Sequence, residues 1–112
     1  TTALEAATRA AEESGWDLEV VDVRTLSPVD MDTLVASASK TARALVVHEA
    51  ARFVGYGAEI AAELNERAFG YLAAPVLRVT GFDVPYPSAK IERHFLPDAD
   101  RILDAVARLL EY

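Results

Sequence analysis

Stretches with apolar residues at helical spacing alternate along this chain with short, nearly continuous apolar runs. No other feature limits the fold as much. The first helical stretch runs over 2–14, with Ala3, Leu4, Ala7, Ala10 and Ala11 on one side and Glu5, Arg9, Glu12 and Glu13 on the other. Gly15 supplies a left-handed cap, and Trp16 stands where a capping hydrophobe packs back. Leu18 to Val23 reads as a strand covered on both faces. Ser27-Pro28-Val29-Asp30 has the cap, the proline and the acid that start a helix, which the spacing carries to about Ser39 with Met31, Leu34 and Val35 inward. Ala44 to His48 is the most strand-like run. It is followed by a loop with Gly55 and Gly57 and a helix over 58–69 carrying Ile60, Ala61, Leu64 and Ala68. Pro75 to Val79 is a third strand, and a last helix starts at the Asp98 cap and runs to about Leu110 on an Ile102, Leu103, Val106, Leu109, Leu110 stripe. Helix alternating with strand implies parallel strands with helices on both faces, a three-layer α/β/α sandwich with a mostly parallel open sheet.

Residues 81–97 differ from the rest. Three of the five prolines, Pro85, Pro87 and Pro97, fall here. Phe82, Val84, Tyr86, Ile91, Phe95 and Leu96 are too apolar for a linker, so the segment is expected to be an extended loop packed on the body. Tyr86-Pro87 is a candidate cis bond.

With 112 residues the chain is one domain. It has no cysteine, which rules out a disulfide scaffold, a thiolate zinc site and a cysteine nucleophile. A net charge of -7 argues against general nucleic-acid or anionic-membrane binding. No apolar run approaches the roughly 20 residues of a membrane span, and the first residues lack a signal-peptide core. The expected setting is the cytoplasm, or the mitochondrial matrix in a eukaryote.

Few residues suggest chemistry. His48-Glu49 ends a strand, where open α/β sheets gather ligands, and a histidine there can titrate or orient a partner. The simpler reading is a histidine hydrogen-bonded at a loop or subunit contact. His94 sits in a polar stretch and reads as surface. No further group completes a triad or a metal set, so no catalytic, cofactor-binding or metal-ligating residue is assigned. Gly55-Tyr56-Gly57 opens a helix as phosphate loops do, but Ile60 stands where the dinucleotide fingerprint has its third glycine, and no P-loop lysine follows. Two glycines making a tight helix start is the plainer account. Asp83-x-Pro85-x-Pro87 reads as a rigid spacer or a recognition strip. The acidic groups Glu59, Glu63, Glu66 and Asp98, Asp100, Asp104 read as solvated helix faces.

Together the motifs say more. Val21-Asp22-Val23-Arg24-Thr25-Leu26-Ser27-Pro28, Val47-His48-Glu49-Ala50, Gly57-Ala58-Glu59-Ile60, Ala74-Pro75-Val76-Leu77-Arg78-Val79-Thr80-Gly81, Asp83-x-Pro85-x-Pro87 and Leu96-Pro97 follow one another in this order. Over essentially its whole length the chain resembles the C-terminal domain of the beta subunit of 2-oxoacid dehydrogenases. His48-Glu49-Ala50, residues 82–87 and the terminal Tyr112 look most like branched-chain members. The resemblance implies the transketolase C-terminal fold. It implies a parent enzyme of alpha and beta subunits that uses thiamine diphosphate to decarboxylate a 2-oxoacid and passes the acyl group to a lipoyl group, with the catalytic groups outside these residues. The implied partners are an alpha subunit, a second beta subunit and the basic subunit-binding domain of the lipoyl acyltransferase. The interface expected for them involves His48, Glu49, Gly55, Gly57, Asp83, Pro85, Pro87, Glu92 and Tyr112.

The sequence departs from the family in two ways. Family members have additional strands before the first helix, one of them central, so a sheet of three strands is expected here. Backbone groups between Leu18–Val23 and Ala44–His48 would then lack partners. Closure of the two strands onto each other, pairing with a second copy, or upstream residues would satisfy them. Ala73 and Ala74 also stand where some members carry an acid. The competing readings are a free-standing binding module of the same fold, the beta subunit domain of a pyruvate dehydrogenase, and the equivalent domain of another thiamine enzyme.

Overall fold

The computed structural model describes residues 1–112. In chain order the elements are α1 (Thr2–Arg9, continued by a π-helical turn, Ala10–Ser14), α2 (Met31–Thr41), β1 (Leu45–Ala51), α3 (Tyr56–Ala68), β2 (Leu77–Gly81), α4 (Glu92–Phe95) and α5 (Ala99–Leu110). β1 and β2 pair in parallel, with Leu45 opposite Leu77, Val46 opposite Arg78 and Val47 opposite Val79. A parallel pair needs a long crossover, and α3 supplies it.

Strand side chains alternate between faces, so Leu45 and Val47 point one way and Val46 the other. On the first face Val79 meets Ala6 of α1 and Ala99, Ile102, Ala105 and Val106 of α5. On the second, Val46, Ala44 and Val76 lie against Met31 and Ala38 of α2 and Ile60 and Leu64 of α3. The expected three layers are present, with a helix pair on each side of the sheet.

The helix ends follow local chemistry. Gly15 closes α1 with φ 69°, the Trp16 amide donates to the Ala10 carbonyl at 3.1 Å, and Trp16 packs on the first cluster. At α5, the Asp98 carboxylate accepts the Arg101 amide at 2.8 Å. α2 begins later than the Ser27-Pro28 signal suggests. Asp30 is its cap, accepting the Thr33 amide at 3.1 Å and the Thr33 hydroxyl at 2.7 Å, which together hold its carboxyl below the usual range. A carboxylate accepting two bonds outcompetes the serine, and Ser27-Pro28, a cis bond, stays in the preceding turn. Tyr86-Pro87 is trans.

The largest correction concerns Leu18–Val23. No strand forms there, and residues 17–25 make no backbone–backbone hydrogen bond. The sheet has two strands, not three. The segment is held by side chains instead: Leu18 packs on the α1–α5 cluster, and the Glu19 carboxylate accepts the Ser37 hydroxyl at 2.7 Å and pairs with Lys40. Two of the run's three valines, Val20 and Val21, are each 37% exposed. β1 and this segment do not close onto each other, so the first of the three remedies is not the one taken.

Residues 82–91 also differ from expectation. Phe82, Val84, Tyr86 and Ile91 are exposed, while Phe95 and Pro97 are buried. The segment is pinned at points and does not pack along its length. Asp83 accepts the Phe53 amide at 2.6 Å, and the Tyr86 hydroxyl donates to Glu92. The Tyr86 ring meets Phe95 edge-on at 5.0 Å. No helix of the structure is long and apolar enough to cross a membrane.

Candidate functional site

β1 and β2 fall out of step where the His48-Glu49-Ala50 motif lies. Val47 pairs with Val79 and Ala51 with Gly81, so three residues of β1 stand opposite Thr80 alone. A bulge of this kind bends a strand and re-aims its side chains. His48 turns against the start of α3, where a Cβ on Gly55 would stand 2.7 Å from His48 Cε1 and one on Gly57 would overlap the ring. The two glycines are there for close approach: they make the slot that the imidazole fills. The phosphate-loop alternative fails for the same reason, because His48 occupies the space a ligand would need.

His48 makes no hydrogen bond with either ring nitrogen, although both are shielded from solvent. This corrects the expectation of a histidine bonded to a neighbouring loop. Burial first, and the charge of Arg78 second, push its pKa below the ordinary value of 6.5, so the ring is neutral near pH 7.

Arg52 and Arg78 stand beside this slot. Arg78 Nη1 donates to the Arg52 carbonyl at 3.0 Å, and Arg52 Nη1 donates back to the Arg78 carbonyl at 3.4 Å. The connecting loop carries exposed Phe53 and Val54, with Val54 at φ 57°, a left-handed conformation unusual for a β-branched residue. Neither arginine stands out in the sequence. Arg52 follows β1 and Arg78 is the second residue of β2, so their meeting depends on the pairing of the two strands.

The other expected interface residues divide. Glu49 is exposed on the bulge, and Asp83 joins the β2–α4 loop to the β1–α3 loop through Phe53. Pro85 lies farther along that loop, Pro87 is half-buried within it, and Glu92 opens α4. Tyr112 follows α5 and lies at the opposite end of the sheet, where Arg43, just before β1, donates to the Leu109 carbonyl at 2.9 Å. His94 is exposed. Arg101 fastens β2 to α5: its guanidinium donates to the Thr80 carbonyl at 2.6 Å and stands 4.6 Å from the centre of the Phe82 ring.

No group of histidine, aspartate and glutamate side chains is arranged to hold a metal ion. A cleft of about 320 Å³ opens between Asn65, Phe69, Leu72 and the Ala73-Ala74-Pro75 turn, and it contains no titratable side chain. No hydroxyl is hydrogen-bonded to His48, and the Thr33 and Ser37 hydroxyls that meet carboxylates do so in the cap of α2 and in its tether to Glu19.

Comparison with known proteins agrees with this geometry. Residues 1–102 match the family described as transketolase, C-terminal domain. The chain is 50% identical over 109 residues to the 3-methyl-2-oxobutanoate dehydrogenase subunit beta of Mycobacterium tuberculosis, covering 97% of this chain and 31% of that protein. It is 54% identical over 110 residues to the pyruvate dehydrogenase E1 component subunit beta of Leifsonia xyli, covering 98% and 32%. It is 45% identical over 102 residues to the 2-oxoisovalerate dehydrogenase subunit beta of Pseudomonas aeruginosa, covering 91% and 29%. The chain thus spans about a third of the length of these relatives. By the match along nearly all of its residues, and by a sheet with helices on both faces, this chain belongs to the transketolase C-terminal domain family.

Proposed function

We propose that these residues form the C-terminal assembly and docking domain of the beta subunit of a thiamine-dependent 2-oxoacid dehydrogenase, of the branched-chain type, working in the cytoplasm. The observation that carries this reading is 50% identity to a 3-methyl-2-oxobutanoate dehydrogenase beta subunit across 97% of the chain. The unpaired backbone of Leu18–Val23, together with a sheet of only two strands, fits a domain of a longer beta subunit that shares its sheet with residues outside these 112.

The family is thiamine-dependent, but the residues present do not fit thiamine diphosphate. Its diphosphate is held through a divalent cation by oxygen ligands, and no such set exists here. The slot of the Gly55–Gly57 pair is filled by His48. The cofactor belongs to other parts of the assembled enzyme.

The partners proposed are the alpha subunit, a second beta subunit and the subunit-binding domain of the lipoyl acyltransferase. The net charge of -7 suits a basic partner, since opposite charge speeds encounter. The test is decarboxylation by the intact enzyme with its alpha subunit and thiamine diphosphate. A kcat/KM about tenfold or more higher for 3-methyl-2-oxobutanoate than for pyruvate is expected. Preference for pyruvate would replace the branched-chain assignment with the second reading, favoured by the 54% identity to a pyruvate dehydrogenase beta subunit. Turnover of neither would overturn the enzyme reading.

A further inference from the structure

We propose that His48 is a proton-released latch: seated in the Gly55–Gly57 slot it holds the β1–α3 loop closed, and on taking up a proton it leaves the slot and frees residues 52–57. The inference goes beyond the functional reading above and does not depend on it. The argument begins with the ring. Both nitrogens are shielded from solvent and neither makes a hydrogen bond. A neutral imidazole has one N–H without a partner, whereas the protonated ring has two, and a charge. Burying an unpaired charge costs far more than burying an unpaired polar group. The seat therefore suits only the neutral ring.

Nothing around the seat offsets a charge. From β2, Arg78 repels it. In the loop, Arg52 is a second cation, and Asp83, which reaches the loop from beyond β2, is taken by the Phe53 amide. On β1 itself Glu49 is exposed on the bulge. At the start of α3 the Tyr56 hydroxyl donates to the Leu26 carbonyl, and Glu59 lines a cleft with Val29, Met31 and Glu63. On α2 Asp30 caps its own helix and Asp32 pairs with Arg67. Of all these groups only Arg78 acts on the ring, and it opposes the proton.

The loop is held under strain. Val54, at φ 57°, sits in a conformation that a β-branched residue adopts only when its surroundings impose it. Gly55 lies so close to the end of β1 that a Cβ there would overlap the Ala51 carbonyl. The loop is fastened by the Phe53 amide on Asp83, by the Arg52 and Arg78 bonds, and by the ring in its slot. Once the ring leaves, the strain at Val54 can relax, and the exposed Phe53 and Val54 move with it.

Hydrogen exchange of the intact protein, read by mass spectrometry on peptides spanning residues 52–58 and corrected for the intrinsic pH dependence of exchange, tests this. The reporters are the Phe53 amide and the Ala58 amide, which donates to the Gly55 carbonyl at 2.9 Å. An opened loop frees a ring of pKa near 6.5, so opening should be about tenfold more frequent at pH 5.5 than at pH 7.5. At both pH values the loop should exchange faster than the peptide holding Val79. Dilute urea should leave the loop's rate unchanged, since local opening exposes little surface. His48→Gln should abolish the tenfold change, and Asp83→Asn should retain it. A pH response that persists in His48→Gln, or disappears in Asp83→Asn, overturns the proposal. So does exchange of the loop and Val79 peptides at one common rate, which would mean that the ring leaves only when the whole domain unfolds. Should His48→Gln fail to fold, the native protein and Asp83→Asn decide by the same criteria.

Discussion

Val20-Val21 and Val46-Val47 are the same dipeptide, each inside an apolar run, yet only the second pair lies in a sheet. Val46 and Val47 have β2 beside them, with Arg78 and Val79 opposite, and a helix layer on each face. Val20 and Val21 have no strand beside them, and their backbone makes no hydrogen bond to another backbone group. The two regions teach that β-propensity describes a side chain's fit to a pleated, covered surface. Without a neighbour to complete the ladder, the same residues remain extended and are tethered from their ends, by Glu19 to α2 and by the Leu26 carbonyl, which accepts the Tyr56 hydroxyl at 2.9 Å.

The difference can be probed most strongly at Phe95, which is buried where β2 ends and whose ring lies under Gly81. Phe95→Ala should cost about 3–5 kcal/mol in denaturant unfolding. A loss near zero would mean that the sheet side is no better packed than residues 17–25.

Gly57→Ala comes next. Its new methyl group meets the His48 ring, and overpacking of this kind costs roughly 1–3 kcal/mol. Combining it with His48→Ala should recover part of that loss, because the smaller side chain opens the slot. Additive losses would show that the two residues do not share it.

His48 also gives a pH dependence. Its folded pKa lies below the unfolded value near 6.5, so above that pH both states are neutral and nothing is lost. As pH falls below about 6.5 the unfolded chain takes up a proton that the folded chain resists, and stability declines until the folded pKa is passed. The melting temperature of the native protein should therefore fall more between pH 7 and 5 than that of His48→Gln. Parallel curves would place the ring in solvent.

The smallest effect is expected in the unpaired segment. Val21→Thr should change stability by no more than about 0.5 kcal/mol, and amides of 18–23 should exchange with solvent far faster than those of Val46, Val47 and Val79. Slow exchange at 18–23 would reveal a strand partner supplied by another chain or by residues beyond these 112, and the comparison would then be between two sheet edges.

Much of the fold was legible in the residues. Helix stripes are local and periodic, so α1, α3 and α5 were readable to within a few residues. Gly15 and Asp98 ended and began helices as their side chains dictate. The start of α2 was misplaced because Ser27 and Asp30 both offer capping oxygens, and which one wins depends on where Thr33 stands. Of the site, His48, Gly55 and Gly57 were singled out separately. Nothing local says that a bulge turns one onto the other two.

The sequence by itself determined the main helices, the two strands that form and their parallel pairing, the acidic surface and the family, because each depends on residues near one another or on their order. Only the tertiary structure decided that Leu18–Val23 stays out of the sheet, that His48 fills the glycine slot without a hydrogen bond, and that Arg52 and Arg78 each donate to the other's carbonyl. The physical reason is common to all three. A strand, a buried ring and a pair of like charges are each defined by what lies across space from them, and that neighbour is many residues away along the chain.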